Sequence, residues 1–207
     1  MRNYRFLLLI LLTFVLTILS KELLNTDGLV ANSLAEQLTS EQLNKILNFN
    51  KKWQWIGYTL IPILLLIKIS IIAAILDAGC FFFNKEAKYK SLFYIVTQAE
   101  FVFLLVIIFK TGWFYIFKQN YTLEDLQYFY PLSALNIVGY ESLQIWFIYL
   151  FQTLNLFELA YWFILSYFLG KELKITTNKG LSIVVSSYGV ALLIWIVGIM
   201  FFTLNMS

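Results

Sequence analysis

Apolar positions run along this chain in five long stretches, with polar residues gathered between them. The first stretch is Phe6 to Ser20, preceded by Arg2 and Arg5 and prolonged by Leu23 and Leu24. A basic start with a short apolar core suits a signal peptide, but Leu-Ser-Lys-Glu is a poor cleavage site, so a retained signal-anchor helix is expected. The second runs from Trp53 to about Cys80, longer than the ~30 Å hydrocarbon core needs, so it should tilt or protrude. Pro62 lies one to two turns inside it and is a candidate kink. The third is Ser91 to Phe117, the fourth about Ser142 to Leu169 with Gly170 as its expected stop, and the fifth Leu181 to Leu204. Trp53, Trp55, Tyr58, Trp113 and Tyr115 fall at span ends, where aromatic rings anchor at the interface.

Two connecting segments carry patterns of their own. In residues 25–52, Ser33 and Glu36 stand at capping-box spacing, and Leu38, Leu43, Ile46 and Leu47 recur at helical spacing. This predicts a short amphipathic helix on the membrane surface. Residues 118–141 open with Thr122-Leu-Glu-Asp and continue with Tyr128, Phe129, Tyr130, Pro131 and Leu132. So aromatic a loop should pack on the membrane or between helices.

Composition agrees with lipid as the solvent: 60% of the residues are apolar and 13% charged, against about 45–50% and about 25% in soluble domains. The net charge of +3, with no basic stripe, gives no reason to expect nucleic acid. The sequence contains no histidine, which removes His-based triads and His-ligated zinc. Its one cysteine, Cys80, leaves the redox compartment open. There is no Gly-x-Ser-x-Gly elbow, Walker motif or dinucleotide fingerprint. A catalytic role, a metal and a cofactor are therefore not expected.

Three charges interrupt the spans: Lys68, Glu100 and Glu158. Each costs roughly 2.5–3.5 kcal/mol if isolated at the bilayer centre, so such residues face one another or water. Helix rise puts Glu100 ~14 Å past Ser91, Glu158 ~18 Å before Gly170 and Lys68 ~24 Å before Asn84, comparable heights once tilt is allowed. Glu141, Gln144, Gln152, Asn155 and Glu158 fall near one face of the fourth stretch, and Thr97 stands three residues before Glu100. The expected intramembrane cluster is Lys68, Glu100, Asn155 and Glu158. On the fifth stretch Ser182, Ser186 and Gly189 form a small-residue face suited to close helix packing. The plainer reading makes Lys68 the partner of one glutamate, with the other protonated and the polar groups gluing the bundle. The sharper one makes Glu100 and Glu158 a proton or cation path whose charge Lys68 sets.

Lysine and arginine placement favours a cytoplasmic N-terminus. That orientation puts Arg2, Arg5, Lys85, Lys88, Lys90, Lys171, Lys174 and Lys179 inside, against Lys21, Lys45, Lys51, Lys52, Lys110 and Lys118 outside. Six of the inside charges lie in two short loops, 84–90 and 170–180, where they weigh most.

Three segments carry a family resemblance. They are Asp77-Ala-Gly-Cys-Phe-Phe-Phe-Asn-Lys-Glu-Ala-Lys-Tyr-Lys-Ser-Leu-Phe-Tyr-Ile-Val-Thr-Gln-Ala, then Pro131-Leu-Ser-Ala-Leu-Asn, then Asn155-Leu-Phe-Glu-Leu-Ala-Tyr-Trp-Phe-Ile-Leu-Ser-Tyr-Phe-Leu-Gly with the polar turn and last helix that follow. Their layout, over roughly residues 53–203, resembles the bacterial form of the Yip (Ypt-interacting protein) domain of multi-pass membrane proteins. The resemblance implies a non-enzymatic membrane component with no catalytic residues to carry over. A membrane anchor stands where the eukaryotic form has a long soluble arm, which speaks against binding a small GTPase.

The sequence thus predicts an all-α integral membrane bundle of five transmembrane helices with a surface amphipathic helix. Residues 1–24 would be the anchor, 25–52 the extracytoplasmic amphipathic segment and 53–207 a four-helix Yip-like domain. The expected role is an accessory or scaffold subunit of a transport or secretion system in a bacterial inner membrane. Its partners would be the bilayer and other membrane subunits or itself. The alternative is a small proton- or cation-coupled transporter or channel subunit using Lys68, Glu100 and Glu158.

Overall fold

The structure, a computed structural model, describes residues 4–35, 38–141 and 143–206. Arg2, Glu36 and Ser142, which entered the sequence reading, lie outside these. The described residues form helices α1 (Tyr4–Leu23), α2 (Thr26–Ala35), α3 (Ser40–Phe82), α4 (Tyr89–Glu100), α5 (Val102–Ile116) and α6 (Leu123–Tyr128). They continue with α7 (Leu135–Val138), α8 (Ile145–Thr153), α9 (Leu156–Leu173), α10 (Thr177–Val184), a π-helical turn (Val185–Gly189) and α11 (Val190–Met206). No strand occurs among them.

Among the described residues, four helical runs are long and apolar enough to cross a membrane: Tyr4–Leu23, Ser40–Phe82, Tyr89–Ile116 and Thr177–Met206. The fourth apolar stretch of the sequence is not one helix. It breaks at Leu154 and Asn155, leaving α8 on one side and α9 on the other. Gly170 does not stop α9. The helix runs on to Leu173 and ends at Lys174, which takes the left-handed conformation at φ 54° and donates its N–H to the Gly170 carbonyl.

The expected surface helix is likewise not a separate element. Leu43, Ile46 and Leu47 belong to α3, which starts at a Thr39–Gln42 capping box and continues through Pro62 to Phe82. No glycine or proline lies between Ser40 and Trp53 to separate the amphipathic part from the apolar part. At 43 residues α3 is ~65 Å long, about twice the ~30 Å hydrocarbon thickness. Only its second half is buried, on Ile69, Ile72, Ala73, Leu76, Gly79 and Cys80, the spacing of one helix face.

The core gathers around α4. Leu92, Ile95, Val96 and Ala99 face α3, α9 and α1, together with the polar Ser91, Thr97 and Glu100. The closest packing in the bundle is built on glycine. A Cβ at Gly180 would stand 2.5 Å from the Ser166 carbonyl oxygen, so α10 lies directly on the α9 backbone. A Cβ at Gly79 would stand 2.6 Å from the Ser187 side chain, which brings α3 against the π-helical turn. A smaller cluster of Leu24, Phe114 and Leu126 ties the ends of α1, α5 and α6, and the Tyr121 hydroxyl closes it by donating to the Leu24 carbonyl.

Candidate functional site

The site lies beside the α8–α9 break and the π-helical turn, against the junction of α4 and α5. The α4–α5 run is interrupted only at Phe101, which keeps right-handed helical dihedrals (φ −58°, ψ −24°) while its carbonyl accepts from Leu104 three residues on. The α8–α9 break falls at Leu154–Asn155, one turn before Glu158. The π-helical turn contains Tyr188.

Asn155 organises the break. Its side-chain oxygen accepts the Glu158 N–H at 2.8 Å, capping α9, and its amide nitrogen donates to the Gln152 and Thr153 carbonyls at 2.9 and 3.0 Å. The aromatic loop, expected to pack on the membrane surface or between helices, supplies the rest. The Ala134 N–H donates to the Leu154 carbonyl at 2.8 Å and the Leu156 N–H donates to the Leu132 carbonyl at 3.2 Å. Ser133 and Asn155 are therefore paired like two residues of an antiparallel ladder. Backbone groups freed inside a membrane protein must find protein partners, and this loop provides them. Leu132 adopts φ 54° to turn the loop into the break.

The interior charges converge from separate helices. The Lys68 ammonium on α3 lies 2.8 Å from Glu100 Oε2 on α4. Its lysine is unequally buried with its partner: the Glu100 side chain is 2% exposed and that of Lys68 is 44% exposed. The same ammonium sits 4.2 Å from the Phe103 ring centroid, a cation–π contact. Glu158 Oε1 accepts both the Trp162 indole N–H at 2.9 Å and the Tyr188 hydroxyl at 2.7 Å. Among the described residues no hydrogen bond reaches its Oε2.

Among the described residues, two buried side-chain atoms have no hydrogen-bond partner: Glu100 Oε1 and the Tyr161 hydroxyl. Tyr161 is fully buried, with Glu100 among its nearest charged neighbours, yet the two do not meet hydrogen-bond geometry. The Tyr161 ring lies between Phe103, 5.0 Å away, and Tyr188, 5.5 Å away. Carboxylates and phenols left unpaired in a dry interior are costly, and native proteins tolerate few of them.

Lys68 and Glu100 thus form one ion pair, and Glu158, bonded to Trp162 and Tyr188, lies within electrostatic reach of both. Asn155, one turn away, is a cap and not a member of a polar helix face. Gln144 stands just before α8 with no side-chain bond to its first turn, and the Gln152 amide donates to the Tyr128 carbonyl at 3.0 Å. Of the small-residue face, Gly189 is buried against Trp162, whereas Ser182 and Ser186 are exposed. The π-helical turn adds a residue to the helical register, and α10 meets α9 through Gly180 instead. Tyr161, Trp162 and Tyr188 were not singled out in the sequence, where aromatic residues read as interfacial anchors. The available signal was spacing: Tyr161 and Trp162 follow Glu158 by three and four residues, one helical step on the same face.

Among the described residues no group of acidic, cysteine or histidine side chains is placed to hold a metal ion. No family model, curated protein or solved structure matches this chain.

Proposed function

We propose that this chain is a non-enzymatic, multi-pass component of a membrane transport process. It acts as a small proton- or cation-coupled transporter or channel subunit, with Lys68, Glu100 and Glu158 as its charge-handling centre. One observation carries the reading: a buried carboxylate keeps an unused oxygen beside two helical runs that depart from α-helical backbone, the α8–α9 break and the π-helical turn. Broken helices and π-turns at membrane depth expose backbone groups and re-aim side chains, and they recur where ions or protons are bound. Ionisable residues there are costly to keep unless they serve the pathway. The bacterial inner membrane, the cytoplasmic N-terminus and the Yip-like layout belong to the same proposal, supported by the two short lysine-rich loops and the residue patterns from Trp53 onward.

The test is flux. Protein reconstituted in liposomes with a trapped pH-sensitive dye should dissipate an imposed proton or monovalent-cation gradient. Glu100→Gln should abolish that flux, while a change at the extramembrane Lys118 should leave it intact. Wild-type vesicles that stay as tight as empty ones under proton, sodium and potassium gradients would overturn the proposal.

A second reading, an accessory or scaffold subunit, is favoured by a different feature. Ala191, Ile194, Trp195, Gly198, Ile199 and Phe202 on α11 frame an open apolar groove of about 390 Å³. Gly198 leaves space in which a Cβ would meet nothing within 4 Å. A stable partner copurifying in mild detergent, lost on Gly198→Leu, would support this role over independent transport.

A further inference from the structure

Two carboxylates, Glu100 and Glu158, share the neighbourhood of one ammonium, Lys68. In hydrocarbon the arrangement without net charge is one ammonium, one carboxylate and one protonated carboxyl. The hydrogen bonds divide the two acids unequally. Glu158 takes both of its donors on Oε1, and Glu100 takes its single ion pair on Oε2. Each acid therefore keeps one oxygen in reserve, and the reserve oxygen of Glu100 is buried beside a tyrosine hydroxyl that has no partner of its own.

We propose that this network is a proton–ammonium exchange site, in which Lys68 pairs with one glutamate while a proton occupies the other, and Tyr161 is the acceptor reserved for the proton on Glu100. In the arrangement seen, the ammonium is on Glu100, and the proton is assigned to Glu158 Oε2, the oxygen that accepts neither Trp162 nor Tyr188. In the other, the ammonium moves to the Glu158 carboxylate, and Glu100 Oε1 carries the proton and donates it to the Tyr161 oxygen. The O–H bond at Glu158 breaks with its electron pair left on Oε2, and an O–H bond forms at Glu100 Oε1. Charge and proton count are conserved, so no uncompensated charge enters the bilayer in either arrangement. The exchange deepens the transport reading of this site and rests on it.

The surroundings suit such a switch. Lys68 is partly exposed, has a flexible stem, and is held by one carboxylate oxygen and the Phe103 face. The other titratable groups facing the network are Tyr161 on α9, Tyr188 in the π-helical turn, Tyr149 on α8 and Tyr130 in the inserted loop. Tyr188 is engaged as a donor to Glu158 and the Tyr149 hydroxyl accepts from Trp195, while Tyr161 is the buried phenol without a partner that lies near Glu100.

Infrared spectroscopy of the full-length protein in lipid vesicles reads the carboxyl carbonyl band directly. At neutral pH the wild type should show a protonated-carboxyl band that Glu158→Gln removes. Lys68→Met should roughly double it, because two acids then share no ammonium. Adding Tyr161→Phe to Lys68→Met should move the new component to higher frequency, the mark of a lost hydrogen bond. No band in the wild type, no gain on removing Lys68, or an unmoved frequency without the Tyr161 hydroxyl would each overturn the exchange. Should Lys68→Met fail to fold, the wild type against Glu158→Gln, which keeps one ammonium with one carboxylate, decides the matter through presence or loss of the band. Flux measured on the same vesicles separates the two ideas. These spectra without flux would sink transport and leave the exchange, and flux without them would do the reverse.

Discussion

Two lysine–carboxylate pairs of nearly equal length sit in different parts of this molecule. Lys68 meets Glu100 at 2.8 Å among the spans, and Lys118 meets Asp125 at 2.7 Å in the loop after α5. The loop carboxylate is fully employed. Asp125 Oδ1 takes Lys118, and Oδ2 takes the Thr122 N–H at 3.0 Å and the Thr122 hydroxyl at 3.2 Å in a capping box. The interior carboxylate has one partner and one idle oxygen. Water would satisfy a spare oxygen in the loop at little cost, whereas the spans offer none. The pair in the more demanding solvent is thus the less completely satisfied. A pair kept only to hold helices together gains nothing from that arrangement, and a pair that must change partners requires it.

Removing one member of each pair separates the two environments most directly. Lys68→Met leaves the buried Glu100 without its cation, so the group must take up a proton or stay charged alone. Breaking a buried pair in this way costs roughly 3–5 kcal/mol, an upper bound here because Lys68 is partly exposed and Glu100 can be neutralised. The double change Lys68→Met with Glu100→Leu should recover most of that loss, since it removes the desolvation along with the attraction. Unfolding midpoints in mixed detergent micelles measure both. A double variant as unstable as the single one would mean that packing around Lys68, and not its charge, holds α3 to α4.

Helix contact, as distinct from charge, is tested at glycine. Gly180→Ala drives a methyl into the Ser166 carbonyl, a backbone atom that cannot step aside, and overpacking of this kind costs about 1–3 kcal/mol. Gly112→Ala has open space and should be neutral or stabilising by up to about 1 kcal/mol through helix propensity. The same unfolding assay compares them. Equal effects at the two sites would show that α9 and α10 do not lie as close as Gly180 implies.

Asn155→Ala should cost about 0.5–2 kcal/mol as a lost cap. It also removes two bonds across the α8–α9 break, so amide exchange in Leu154–Glu158 should quicken while that of α4 stays slow. Uniform exchange across both would show that the break is not held by this side chain.

What the sequence made legible follows from how each feature is encoded. Runs of apolar residues encode length, so α1, the upper part of α3, the α4–α5 run and the α10–α11 run were readable directly. Isolated charges in such runs encode mutual proximity, which is why Lys68, Glu100 and Glu158 were grouped. The α8–α9 break was not legible because Leu154 and Leu156 keep hydropathy high on both sides of Asn155, which then passes for one more polar residue on a face. Its cause is tertiary: residues 132–134 arrive from the preceding loop and compete for the backbone bonds. The π-helical turn was hidden for a similar reason. Ser186 and Ser187 hydroxyls bond back to the Ser182 and Ile183 carbonyls, a local competition that bends a helix without altering its hydropathy. Tyr161 was missed because its significance lies in having no partner, a property of surroundings that no residue pattern carries.

The smallest effect belongs to the loop pair, and its sign follows from its surroundings. Burial alone would raise the Asp125 carboxyl, but hydrogen bonds from Lys118 and Thr122 and the Lys118 charge outweigh it and hold the group below its ordinary value of 3.8. A carboxylate whose value is depressed by folding stabilises the protein fully above the unfolded value and loses that contribution as pH falls through the folded one. The pair should therefore contribute its full effect at neutral pH and fade only in the acid range below about 3.8. Because Lys118 is 42% exposed, the contribution is screened to about 0.2–1 kcal/mol. Lys118→Met should lower the unfolding midpoint slightly at pH 7, less still in high salt. An effect as large as that of Lys68→Met would erase the contrast between the two solvents. A small, salt-sensitive one would mean that the idle oxygen of Glu100, and not the mere presence of a lysine–carboxylate contact, sets the interior pair apart.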